Sequence, residues 1–167
     1  MQSNWPISWF LAGGIVFLIE CALKYAAYMN RSEFELINIA NEFSLNVVYV
    51  ENRHSAFGMM RAVPDYINHG LLYMSVLFLI GLTLHTVWSS ESTKLMRKGI
   101  LCFLVGASGN MIDRILIGAV VDYIDFRLGP DGSVYMLAWN ISDLVINLGF
   151  FYVLKDAFSS KDKNKID

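Results

Sequence analysis

Four stretches of the chain are apolar with little interruption: Ile7 to Tyr28, Gly70 to Trp88, Gly99 to Gly118 and Leu137 to Leu154. A helix needs about 20 mostly apolar residues to cross a hydrocarbon core, and each stretch is of that order. The pattern predicts transmembrane helices at about 7–28, 70–88, 99–118 and 137–154. The first stretch follows Met1-Gln2-Ser3-Asn4-Trp5-Pro6, without a basic leader, and is too long for the core of a signal peptide, so it is expected to be retained. Between the first two stretches, the outer region 30–68 contains Leu45-Asn46-Val47-Val48-Tyr49-Val50, a β-branched and aromatic run that predicts a strand. An extended piece at Ser55 to Met60 is expected to pair with it, and Pro64-Asp65 to open the second helix with Asp65 as its cap. The expected fold class is an all-α membrane protein, with a small extracytoplasmic β-sheet between helices one and two. A single membrane-embedded domain, 1–167, would end in a loose polar tail at 159–167.

Composition supports the membrane reading: the 167 residues are 55% hydrophobic and only 17% charged, against about 25% charged in soluble domains. The net charge of −2 leaves no broad cationic surface for nucleic acid. Cys21 and Cys102 lie in apolar runs and read as packed thiols, and no His, Cys and carboxylate set has metal-ligand spacing, so neither metal nor cofactor is expected. Lys94, Arg97 and Lys98 fall between helices two and three, and Lys155, Lys161, Lys163 and Lys165 follow helix four. The positive-inside rule makes both regions cytoplasmic. Both termini are then cytoplasmic, and regions 30–68 and 119–136 face outward.

The ionisable residues inside the apolar runs change the picture most, since each costs about 2.5–3.5 kcal/mol to insert and tends to have a use. Helix one carries Glu20 and Lys24; helix three carries Asn110, Asp113 and Arg114; helix four carries Asn140, Asp143 and Asn147. Helix two has only His69 and His85 and reads as a supporting helix. At about 1.5 Å per residue, Asp113 lies about 22 Å and Asp122 about 36 Å from Lys98, and Asp143 about 18 Å from Lys155. All of them therefore fall in the outer half, where Asp122 and Asp143 can approach each other. Two carboxylates so close share a proton, one acting as acid while the other activates a water. Glu20 and Lys24, spaced i,i+4, read instead as a neutralising structural pair. Asp113 beside Arg114 reads as charge compensation, although neighbours on a helix face different ways and Arg114 is left able to bind. A rival of another class is a small transporter whose carboxylates relay protons, but the charges gather at one depth instead of lining a path across.

Five blocks carry a resemblance: Glu20-Cys21-Ala22-Leu23-Lys24, Asn52-Arg53-His54-Ser55-Ala56-Phe57-Gly58, Gly106-Ala107-Ser108-Gly109-Asn110-Met111-Ile112-Asp113-Arg114, Gly118-Ala119-Val120-Val121-Asp122-Tyr123-Ile124 and Trp139-Asn140-Ile141-Ser142-Asp143. In this order, over nearly the whole chain, they resemble the bacterial lipoprotein signal peptidases (signal peptidase II); the last three blocks are specific, the first two weaker. The resemblance implies an aspartyl endopeptidase of the bacterial inner membrane with Asp122 and Asp143 as its catalytic dyad. It also implies that Asn52, Asn110, Arg114 and Asn140 hold substrate and dyad, and that Lys24, beside Glu20, supports the site. The implied substrate is a diacylglyceryl prolipoprotein, cut before its lipidated cysteine at the outer face of the membrane; a monomer is the default expectation. The chain departs from the family pattern at Glu20, where aspartate is usual, and at His54, Ser55 and Gly58, where glycine, alanine and serine are usual. These departures leave open a paralogue that binds lipoproteins without cutting them. Gly106 and Gly109 are expected to let helices approach closely, and Phe57 to cover the cleft.

Overall fold

A computed structural model describes residues 5–39, 42–53, 65–89, 92–129 and 134–163. The apolar runs fold as helices: α1 Ile7–Asn30, α2 Asp65–Trp88, α3 Lys94–Ile117 and α4 Ile141–Lys163. α1 starts after Pro6 and stops where Arg31 turns left-handed (φ 46°) and its N–H closes on the Ala27 carbonyl. The Arg31 guanidinium then lies over the rings of Tyr28 and Tyr49, 4.8 and 5.0 Å from their centres. Thr93 caps α3, its hydroxyl accepting from the Met96 N–H at 3.1 Å and donating to Asp156 of α4. Gly118, at φ 75°, ends α3 in a conformation that favours glycine.

Two of the described helices, α1 and α3, are long and apolar enough to cross a membrane. Their burial is inverted relative to a water-soluble fold. The buried residues of α1 are Glu20 and Lys24, while Leu11, Ile15, Leu18 and Ile19 are exposed. α2 likewise turns Tyr73, Leu77 and Phe78 outward. A surface of this kind is stable against hydrocarbon and not against water.

Four strands form one antiparallel sheet in the order β1-β2-β3-β4: β1 Phe34–Ile39, β2 Phe43–Asn52, β3 Val120–Leu128 and β4 Val134–Trp139. β2 contains the Leu45 to Val50 strand expected from its composition. The sheet does not lie only between helices one and two, because half of it comes from the α3–α4 connection. β2 and β3 form its centre, running in register from Phe43 opposite Leu128 to Asn52 opposite Val120, with an irregularity between Val47 and Val50. β2 also pairs with β1; the expected partner, Ser55 to Met60, lies outside the described residues, as do His54, Phe57 and Pro64.

Other expectations need correcting. Helix four opens at Ile141 rather than Leu137, since Leu137, Ala138 and Trp139 belong to β4, opposite Phe126, Asp125 and Ile124. A short apolar run looks the same as a buried strand or as the start of a helix; pairing with β3 decides here, and the Trp139 ring stacks on Phe126 at 5.8 Å. Lys94, Arg97 and Lys98 are in the first turns of α3, not in a link, because Thr93 caps the helix ahead of them. α4 remains helical through Lys163, into the segment expected to be loose, whereas α2 opens at Asp65, where it was expected to start, five residues ahead of its apolar run.

Candidate active site

The site forms where the sheet meets the helix ends. Asp122 sits on β3 opposite Val50, buried to 2% exposure. Asn140 lies between β4 and α4, fully buried, and joins the two acidic residues. Its Nδ2 donates to Asp122 Oδ1 at 2.7 Å, and its Oδ1 accepts the Asp143 backbone N–H at 3.0 Å. The second bond is a helix N-cap, which sets the pitch and direction of the turn carrying Asp143. Asn52, at the end of β2, donates to the other Asp122 oxygen at 3.1 Å. Asn110 of α3 donates to Asp143 Oδ1 at 2.9 Å and accepts from Lys24 Nζ at 2.8 Å.

Behind this layer, Lys24 reaches Glu20 at 3.2 Å and Asp113 at 2.7 Å. A buried cation between two carboxylates avoids the cost of an unpaired charge. Asp113 also accepts the Val121 N–H at 3.0 Å, tying the cluster to β3 beside Asp122. Its ionic partner is therefore Lys24 and not the adjacent Arg114, which corrects the sequence expectation: successive helical residues point about 100° apart. Arg114 is half-buried and donates to the Asn110 carbonyl at 3.1 Å. Among the described residues it has no ion pair within 4.0 Å, which leaves guanidinium donors beside the two acids.

The first three N–H groups of α4 all find side-chain acceptors. Ile141 donates to the Tyr123 hydroxyl (3.2 Å), Ser142 to Glu20 Oε1 (3.2 Å) and Asp143 to Asn140. The Tyr123 hydroxyl in turn donates to Glu20 Oε2 at 2.5 Å; burial first, and this bond second, hold its proton on and its pKa high. Glu20 therefore does more than neutralise Lys24: it anchors the turn that presents Asp143. Tyr123 and Ser142 were given no role by sequence reasoning, because a phenol among Val and Ile residues reads as packing.

Asp122 titrates far from an ordinary carboxyl. Burial, with the negative charge of Asp143 second, pushes its pKa up to about 7, against the hydrogen bonds from Asn52 and Asn140 that favour the ionised form. Near neutral pH the site can therefore hold one proton on Asp122, an arrangement suited to acid–base attack by water on a peptide bond. Among the described residues no cluster of His, Cys, Asp and Glu could hold a metal ion.

Residues 13–159 match the family described as signal peptidase (SPase) II. The chain belongs to the signal peptidase II family. It is 30% identical over 171 residues to the lipoprotein signal peptidase of Shewanella sediminis, covering 99% of this chain and 93% of that one. It is 28% identical to that of Pasteurella multocida, covering 96% and 94%. A solved bacterial membrane enzyme shares the fold at TM-score 0.75 and 21% identity, with 97% and 94% of the two chains covered. This signal peptidase II chain is thus an aspartic peptidase with lipoprotein signal peptidase activity.

Proposed function

We propose that Asp122 and Asp143 are the catalytic pair, and that the enzyme removes the signal peptide of diacylglyceryl prolipoproteins by cutting on the amino side of the lipidated cysteine. The observation that carries this reading is the Asn140 bridge: one side chain bonds the Asp122 carboxyl and caps the turn of Asp143. In the proposed mechanism Asp143 takes a proton from water as its oxygen attacks the scissile carbonyl carbon, and Asp122 gives its proton to the carbonyl oxygen. As the C–N bond breaks, the proton on Asp143 passes to the leaving amine and a hydroxyl proton of the intermediate returns to Asp122. The products are a carboxyl-terminated signal peptide and a free amine on the lipidated cysteine, and the pair ends as it began.

Asn52, Asn110 and Asn140 would hold the acids in place, Lys24 and Glu20 would fix Asn110 and the α4 turn, and Arg114 would bind substrate backbone. A lipid-bearing substrate stays in the bilayer, so the reading includes four membrane crossings, with the sheet and site at the outer face of the bacterial inner membrane, both termini cytoplasmic, and a monomer working alone. It is tested by Asp122→Asn and Asp143→Asn in the full chain. Each should cause uncut, lipidated prolipoprotein to accumulate in cells while the variant remains in the membrane. Cleavage at the parental rate in either variant would remove that residue from the mechanism.

A further inference from the structure

In the part of the bundle away from Asp122 and Asp143, α1, α3 and α4 line a groove of about 310 Å³. Its walls are almost wholly apolar, formed by Trp9, Val16, Leu101, Val105 and Leu148 among others. It extends along α3 from Lys98 to Val105, about 10 Å at the helical rise. Gly13 brings the walls together: a Cβ there would come 2.9 Å from a methyl of Val105. The groove has one charged residue, Lys98, whose ammonium lies 5.3 Å from the centre of the Trp9 ring and 5.8 Å from that of Tyr152. Both distances are within cation–π range. Among the described residues no carboxylate lies within 4.0 Å of it.

We propose that this groove binds an anionic phospholipid, with the headgroup phosphate on the Lys98 ammonium and one acyl chain between α1, α3 and α4. Charge favours this occupant over the alternatives. The positive leader of a signal peptide would be repelled by Lys98 and by the exposed Lys94 of the same helix. A zwitterionic lipid brings its own cation to the same place, whereas an anionic phosphate adds only attraction, worth about 1 kcal/mol per lysine at a membrane surface. Trp9 and Tyr152, at the lysine end, suit the headgroup level of a bilayer. The peptidase site lies on other residues, so this proposal can fail while the catalytic one stands.

Trp9 lines the groove and reports on it. In the full chain, Trp5, Trp88 and Trp139 are replaced by Phe, leaving Trp9 as the single fluorophore. The protein is placed in lipid nanodiscs doped with acyl-brominated phosphatidylglycerol or phosphatidylcholine. The phosphatidylglycerol should quench Trp9 preferentially, Lys98→Gln should cut that preference about fivefold, and Lys98→Arg should keep it. Lys94→Gln, on an exposed part of the same helix, should leave it in place. Equal quenching by the two lipids, or equal losses in Lys94→Gln and Lys98→Gln, would mean annular lipid attracted by general charge and would overturn the proposal. Displacement of the quenching lipid by a synthetic signal peptide would overturn it in favour of substrate.

Discussion

Asn52 and Asn140 each donate a hydrogen bond to Asp122, and each bond favours the ionised carboxylate against burial and the charge of Asp143. Removing one must therefore raise the Asp122 pKa further. Asn52→Ala should move the alkaline limb of kcat/KM upward by about one pH unit, the equivalent of about 1.4 kcal/mol and of the order of one bond to a charged group. The sign follows from the proposed role: a proton held more tightly survives to higher pH, and activity with it. A pH–rate profile of the purified enzyme checks this, and a limb that stays still or moves down would deny Asp122 the part of acid. The same perturbation links to stability. Because the folded pKa of about 7 lies above the ordinary 3.8, the folded chain keeps a proton that the unfolded chain has released, and this group's contribution weakens as pH rises through that window. At this scale the acidic residues were legible, since a carboxylate near an apolar run is costly and conspicuous. The hydroxyl of Tyr123 was not, because nothing local distinguishes it from a packed ring.

The close approach of α3 and α4 depends on small residues, and two neighbouring glycines differ in what they face. A Cβ on Gly106 would come 2.5 Å from the Ser142 carbonyl oxygen and 3.2 Å from the Ile146 nitrogen, both backbone atoms that cannot move alone. A Cβ on Gly109 would run into the Ser142 hydroxyl, a side-chain atom that can rotate or be deleted. Gly106→Ala should therefore destabilise the protein by about 1–3 kcal/mol through overpacking, and lower cleavage because Ser142 adjoins Asp143. Gly109→Ala should cost less and be relieved by Ser142→Ala in the double variant. Denaturant titration in micelles measures both, and a Gly106→Ala protein as stable as the parent would contradict the packing account. Hydropathy located the four helices, but the starts of α2, α3 and α4 and the end of α4 lie four to nine residues from where the apolar runs put them. β3 and β4 were not located, because Asp122, Asp125 and Arg127 break the apolar pattern of one and the other resembles the start of a helix.

Across the whole fold, α1 carries its charges inside and most of its large apolar side chains outside, with Glu20 at 2% and Lys24 at 4% exposure while Leu18 is 66% exposed. Through Lys24, Asn110, Asp113 and Glu20 the buried network connects α1, α3, β3 and the start of α4, so Asp122 and Asp143 rest on residues far apart in the chain. The basic residues at the far ends of α3 and α4 predict the direction of insertion. With Cys21 and Cys102 replaced, a cysteine at the exposed Leu36 of β1 should react in intact cells with a maleimide that cannot cross the inner membrane. One at the exposed Lys155 should react only after that membrane is opened. The reverse pattern would place the site on the cytoplasmic side and overturn the proposed topology.

Hydropathy along the chain determined where helices run and which side chains are too costly to be incidental, because both are free energies of transfer that belong to a residue and its near neighbours. Tertiary structure alone decided the pairings. Lys24 finds Asn110 at a separation of 86 residues, Ser142 finds Glu20 at 122, and the α3–α4 connection supplies half of the sheet. A hydrogen bond is set by where two groups end up in space, and no local period in the sequence encodes a meeting between chain segments so far apart.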